Sequence, residues 1–381
     1  MQRKLKLKIY GDTPRSLLLA LVLTKFNCDI YLFDFLQNPN LNKNDQILSF
    51  SNFSKDLLTK YDLWREFEEF SYGITSFSLE DNIVSKKLLL RSQTLSDEKL
   101  NTICWTARYS DLKRLLIKKL KNFDNVHFNS RNQLNDQSLI YDYVFKLVSY
   151  KNITDLFRFP FSIFKEKESL VLIFNVYLRG NIENRLYTIN TNEGLLNLTP
   201  LSKNLYQITW NNVSTKFKER SLSSKSFFLD NLTALLPNEL KIDQIVGNIE
   251  SLYMSNICPP YVIRNKFIYL NENKFQSNIL YEFNFDNIIK IILHIYNLLK
   301  NTKSKNINFL NNFGFFYLLI KYKEFMANFS FQSLLINLFI YNNILSFFLR
   351  KLLFLLLKRI YFFKIFIIRN LFNSNIKDFT K

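Results

Sequence analysis

The stretch KLKIYGDTPRSLLLALVLTKFNCDIYLFDF, residues 6–35, constrains the fold more than any other part of the chain. Over residues 4–10, Leu5, Leu7 and Ile9 alternate with lysines, the period of a strand with one buried face. Residues 14–26 are almost wholly apolar and helical in length, and Pro14 suits a first helical turn because its missing N–H would be unpaired there anyway. Residues 28–34 read as a second strand ending at Asp34. Two strands joined through a helix pair in parallel, so the segment reads as a right-handed βαβ crossover and the chain as α/β.

The turn inside that unit decides what it can bind. A dinucleotide-binding turn of this kind carries three glycines and, about 20 residues on, an acid for the ribose. The first glycine makes the turn, the second lets the backbone reach a diphosphate, and the third packs helix on strand. Here the three positions are Gly11, Thr13 and Ser16, with Asp34 at the end of the second strand. Gly11 and Asp34 keep their roles by type and place. Thr13 puts a β-branched side chain where the phosphate would sit, and Ser16 is a milder change. Asp12 would repel a diphosphate, whereas Arg15 at the helix start would attract one.

Beyond this unit, a helix is expected at about 53–70 and another at 109–121, the latter fed by a strand end at CWTARY. The span 155–230 alternates repeatedly, as in LVLIFNVYLRG and NLYQITWNNVS, with Gly194 and Pro200 at turns. It predicts an antiparallel sheet. KFIYL, residues 266–270, is a further strand, after which the pattern is helical. The domains expected are a Rossmann-like nucleotide domain over 1–150, an antiparallel β domain over 151–262, a return to the first domain over 263–300, and an apolar, basic helical region over 301–381.

That last region is interrupted by Arg350, Lys351, Lys358, Arg359, Lys364 and Arg369, and its run LLFLLL is six residues long. A membrane span needs roughly 20 mostly apolar residues. A packed helical cap is therefore the expected form; a cationic, aromatic helix pair that packs on the domain and touches a membrane surface is the alternative.

The net charge of +19 is compatible with anionic partners, but the lysines are dispersed. No zinc, helix-turn-helix or RNA-binding signature accompanies them, so nucleic acid is not an expected partner. The cysteines Cys28, Cys104 and Cys258 are far apart and form no CxxC pair. With only His127 and His294 besides, neither a disulfide framework, a zinc site nor a histidine triad is expected. A reducing cytoplasm fits, and MQRKLKLKIY lacks the apolar core of a signal peptide.

Several segments, in order, resemble the FAD-dependent aromatic hydroxylases of ubiquinone biosynthesis, the 2-polyprenyl-6-methoxyphenol hydroxylase type of flavoprotein monooxygenase. They are the βαβ unit; ILSFSNFSKDLLTKYDLWREFEEFSYGITSFSLED; WTARYSDLKRLLIKKLKNFDNVHF; LYTINTNEGLLNLTPLSKNLYQITW, with Gly194, Pro200 and Trp210 in place; and the tail around Arg350. The resemblance implies a Rossmann-like FAD domain with an antiparallel substrate domain and a helical C-terminal region. It also implies FAD as cofactor, a polyprenyl phenol as substrate, other quinone-biosynthesis proteins as partners, and a place in the cytoplasm or at the inner face of a membrane.

Departures from the family pattern fall on its glycines. Where the family has Ala-Asp-Gly, this chain reads KLVSYKNITDLF. Where the family has Gly-Asp-Ala-Ala-His, Asn271 and Glu272 take the first two positions and Phe275 the last. Asn284, Asp286 and Ile288 take the places of Gly, Asn and Gly in the later run. Such glycines let backbone amides approach the flavin, so their loss predicts a chain that binds FAD weakly or not at all. Apart from a flavin, no catalytic set is expected: Glu272 reads as a surface or capping carboxylate, His294 as a packed or partly exposed histidine, and Arg108 with Asp111 either as nucleotide contacts or, equally, as a helix-start carboxylate with a surface arginine. A non-catalytic role, as a structural or lipid-presenting subunit of a quinone-biosynthesis assembly, is the alternative to hydroxylation.

Overall fold

The structure is a computed structural model. It describes residues 4–33, 47–91, 102–129, 140–148, 169–179, 184–212, 225–254, 261–264, 266–271, 284–301, 338–339 and 343–360. In chain order the first elements are β1 (Leu5–Tyr10), α1 (Pro14–Leu23), β2 (Cys28–Phe33), β3 (Ile47–Phe50), α2 (Asn52–Lys60) and α3 (Trp64–Glu68). Then come β4 (Tyr72–Ile74), β5 (Ser76–Asp81), β6 (Lys86–Arg91), β7 (Cys104–Arg108), α4 (Tyr109–Leu120), β8 (Val126–Phe128) and β9 (Tyr143–Val148). The next run is β10 (Ser169–Arg179), β11 (Arg185–Thr191), β12 (Gly194–Pro200), β13 (Leu205–Asn212), α5 (Lys225–Leu235) and β14 (Lys241–Met254). The last elements are β15 (Tyr261–Arg264), β16 (Phe267–Asn271), α6 (Asn284–Asn301) and α7 (Ile344–Arg359).

The predicted βαβ unit forms, with β1 and β2 parallel from Leu5↔Cys28 to Tyr10↔Phe33. It nucleates a sheet of order β15-β16-β9-β1-β2-β8, parallel except for β15. One face of this sheet carries Leu7, Ile9, Ile30 and Leu32 against α1, α4 and α6. Helix α1 has no polar face because it lies at the centre: Leu17 through Leu23 are all buried. On the opposite face the β1 lysines are not simply solvated. Lys8 Nζ sits 3.9 Å from the ring centre of Phe33 and 5.0 Å from that of Tyr141, its charge resting on aromatic faces.

The helix expected at about 53–70 is two helices. The chain breaks at Asp62, whose φ of 53° leaves the helical region, and α3 restarts at Trp64. The break lets Trp64 meet Trp105 edge-on at 5.2 Å, tying α3 to the small sheet β3-β7-β4.

The predicted antiparallel sheet is larger than its own span: its order is β14-β10-β13-β12-β11-β5-β6. Strands β5 and β6, from residues 76–91, pair into it, and β5 runs parallel to β11. One face carries Phe174, Tyr206, Ile208 and Trp210, closed by Phe228 and Leu232 of α5. Gly194 opens β12 with φ 121°, a conformation that disfavours any other residue, and completes the tight return from β11. The Pro200 carbonyl accepts from Thr106 Oγ1 of β7 at 2.6 Å, joining this sheet to the small one.

Helix α7 lies on β5 and β6, where Phe354 and Leu357 meet Leu88 and Leu90. Among the described residues no helix is long and apolar enough to cross a membrane.

Candidate functional site

In the parallel sheet the strand order reverses between β1 and β9, and a crevice opens at the carboxyl ends of strands at such a reversal. Gly11 stands there, immediately after β1, with φ 102° and its N–H donated to the Phe33 carbonyl at 3.0 Å. A Cβ at Gly11 would lie 3.8 Å from Ser16 Oγ and 3.9 Å from Leu147 Cδ1, ordinary contacts. Glycine is demanded by the backbone angle, not by space.

The rest of the turn is closed by its own side chains. Thr13 is the N-cap of α1, and its Oγ1 accepts from Ser16 N at 3.3 Å. Ser16 is buried, and its hydroxyl contacts the Gly11 and Thr13 carbonyls at 2.8 Å each. Asp12 is neutralised by Lys113 of α4, Nζ to Oδ2 2.7 Å. Arg15 follows on the first turn. A diphosphate at a helix N-terminus is held by opening amides with no side chain in between. Here Pro14 has no N–H and Ser16 N is capped by Thr13 Oγ1, so two of the opening amides of α1 are not offered to a ligand.

Asn271 is the last residue of β16, opposite Val148 of β9, two strands from β1 and so about 10 Å across the sheet end. The topology thus brings Gly11, Thr13, Arg15, Ser16 and Asn271 to one edge of the sheet. Asp34, Glu272 and Phe275 lie outside the described residues, as does most of the segment KLVSYKNITDLF.

Asn284, Asp286 and Ile288 lie in the first two turns of α6. Ile288 is buried in the core beside Ile289 and Ile292, filling with hydrocarbon the volume a glycine would leave open. Asp286, 5% exposed in the first turn of α6, accepts from Ser51 N at 3.3 Å and from the Ser54 hydroxyl. Ser51 is itself the N-cap of α2, so one carboxylate ties two helix starts together. Burial raises the Asp286 pKa above its ordinary value, opposed by the hydrogen bonds from Ser51 and Ser54. Burial also pushes the neighbouring Cys104 thiol well up, and Asp286 adds to it. Nothing in the local sequence marks Asp286 or Lys113 as anchors, because both act on residues far away in the chain.

A second polar surface was not foreseen. On the face of the seven-stranded sheet opposite α5, Thr188 bonds Asn197 at 2.8 Å and Gln207 bonds Asn175 at 3.1 Å, all of them buried. Asn190 donates to Asp81 Oδ2 at 3.0 Å along the same face. Alternation in the sequence shows the apolar face, but not that the polar one is buried too. Elsewhere, Asp111 pairs with Arg114 at 3.4 Å and Arg108 serves as the N-cap residue of α4. His294 is packed in α6. Among the described residues no group of three or more His, Cys, Asp or Glu is placed to hold a metal ion.

The chain matches no protein-family model and no curated protein by sequence. Its fold, by contrast, has many solved counterparts. The p-nitrophenol 4-monooxygenase PnpA from Pseudomonas putida DLL-E4 superposes with a TM-score of 0.70 at 11% identity, over 98% of this chain and 100% of that one. The fold is that of the flavoprotein monooxygenases. PqsL from Pseudomonas aeruginosa, a probable FAD-dependent monooxygenase, gives a TM-score of 0.60 at 10% identity over 87% and 95% of the two chains. CmlS, a flavin-dependent halogenase, gives 0.58 at 11% identity over 91% and 67%.

Proposed function

We propose that this chain is a flavoprotein-monooxygenase fold that no longer holds FAD through its first turn, and that it serves quinone-ring hydroxylation as a non-catalytic, lipid-presenting member of a biosynthetic assembly. The observation that carries the flavin-free reading is the turn Gly11–Ser16, whose cap is Thr13 and whose carbonyls are bridged by the Ser16 hydroxyl. In this fold the flavin supplies oxygen activation, and the protein supplies orientation and a dry enclosure. Without the flavin, what remains is the protein's own framework, including the row of buried polar groups Asn175, Thr188, Asn190, Asn197 and Gln207 on the second sheet. The assignment to ubiquinone biosynthesis rests on the ordered sequence segments around Gly194, Pro200 and Trp210, and the polyprenyl phenol is its implied ligand.

A second reading, a working hydroxylase with an altered phosphate site, is favoured by Gly11, which keeps its left-handed φ at the strand reversal. The visible absorption spectrum of the purified chain, with FAD added up to high micromolar concentration and followed by flavin fluorescence quenching, separates the two. A colourless protein with no quenching is expected. Stoichiometric yellow flavin would replace the proposal with the hydroxylase.

A further inference from the structure

Helix α7 is apolar on both faces, and its one buried charge points inward. Beside Phe354 and Leu357 on the inward face lies Arg350, 1% exposed, which bonds Asp81 Oδ2 at 3.4 Å and donates from Nε to the Ser346 carbonyl. Its outward face is apolar: Phe348 is 63% exposed, Leu352 51% and Leu355 47%, with Ile344 and Leu345 exposed at its start. At 100° per residue these side chains lie together, opposite the line Ser346, Arg350 and Leu357 that faces the sheet. Exposed Lys351 and Lys358 run along one edge of the apolar stripe, and Arg359 closes its end. The 16 residues include no acid.

The helix cannot roll to hide this face. Asn343 and Ser346 form a reciprocal capping box that sets where it starts, and the Arg350–Asp81 pair sets its rotation. Turning the leucines inward would strip Arg350 from Asp81 and leave a buried carboxylate without its cation.

We infer that α7 docks this protein flat on an anionic lipid surface, with Phe348, Leu352 and Leu355 in the acyl boundary and Lys351, Lys358 and Arg359 at the headgroups. An apolar face rimmed by cations is the chemistry of an interfacial helix. A second copy is a poor occupant, since two such faces would oppose like charges with no acid on either helix to pair them. A span is excluded by length: 16 residues rise about 24 Å, short of the roughly 30 Å hydrocarbon core. The inference does not depend on whether flavin binds.

The test uses the full chain with vesicles of phosphatidylcholine alone or with phosphatidylglycerol, read by co-sedimentation. Binding to the phosphatidylglycerol vesicles is expected, weaker on neutral ones and weakened by salt. The double variant Leu352→Asp, Leu355→Asp is expected to partition at least ~10-fold less, since each buried apolar side chain corresponds to about that factor. Lys351→Glu, Lys358→Glu is expected to lose only the preference for anionic vesicles. These positions are exposed, so the variants should keep the wild-type circular dichroism and unfolding midpoint. As an independent readout, the tryptophan emission of the Phe348→Trp variant is expected to shift to the blue when phosphatidylglycerol vesicles are added. Failure of the wild type to bind at low salt, an unshifted emission in the Phe348→Trp variant, or binding unchanged in the aspartate variant would each overturn the inference. So would a concentration-dependent dimer that the aspartate variant abolishes, because the face would then belong to a second copy.

Discussion

Asp286 shows how one residue links two distant parts of the chain. Its carboxylate accepts from Ser51 and Ser54 of α2 while sitting in the first turn of α6. Its pKa is raised, so the folded state holds the proton more tightly than the unfolded chain. Stability contributed by this group is therefore greatest at low pH, falls as pH rises from about 4 through the raised value, and is flat above it. Asp286→Asn keeps the acceptor and removes the charge. Urea unfolding across that range is expected to lose this part of the slope and to show the variant at least as stable as wild type near pH 7. Asp286→Ala instead strands two buried donors and is expected to cost about 1–3 kcal/mol in the same measurement. Gly11→Ala tests the turn: the space is open but φ is 102°, so the cost expected is backbone strain of about 1–2 kcal/mol. The thiol of Cys28 is pushed up to about 12 by burial, so it is expected to resist alkylation in the native chain near pH 8 and to react on unfolding.

Among the elements, α1 and α7 are opposite cases. The apolar run of α1 and its flanking strands are legible because every residue acts locally: alternation sets β1, and near-continuous leucine sets a central helix. The charges in α7 are legible only as interruptions. That Arg350 points inward while Phe348 points out depends on Asp81, a residue far upstream on β5. Arg350→Ala leaves that carboxylate, among the described residues, with the neutral partners Asn190 and the amides of Ile83 and Val84. The expected cost is about 3–5 kcal/mol by urea unfolding, and the double replacement Arg350→Met, Asp81→Asn should recover most of it. The split of α2 from α3 has the same character. Asp62 is no strong breaker by type, and the break follows from docking Trp64 on Trp105.

At the scale of the whole molecule, the fold is shared with flavoprotein monooxygenases at about one residue in nine, which is compatible with layers and topology being kept by pattern rather than by identity. If the turn has closed, replacing Thr13 and Ser16 by glycine together should lower the unfolding midpoint, since the cap and the Ser16 bridge are lost. Adding millimolar pyrophosphate should restore part of it only in that variant; equal stabilisation of the wild type would show an open cradle. The sequence by itself determined the βαβ unit, the antiparallel sheet, the charged interruptions around LLFLLL and a turn with threonine and serine, not glycine, at positions 13 and 16. Those features follow from periodicity and residue type, which are properties of neighbours in the chain. Only the tertiary structure decided that Lys113 would neutralise Asp12, that Asp286 would join two helix starts, that β5 and β6 would enlarge the second sheet, and that α7 would turn Phe348, Leu352 and Leu355 outward. Each of those is a pairing across tens to hundreds of residues, and its free energy comes from burying charge and hydrocarbon together once the layers have met.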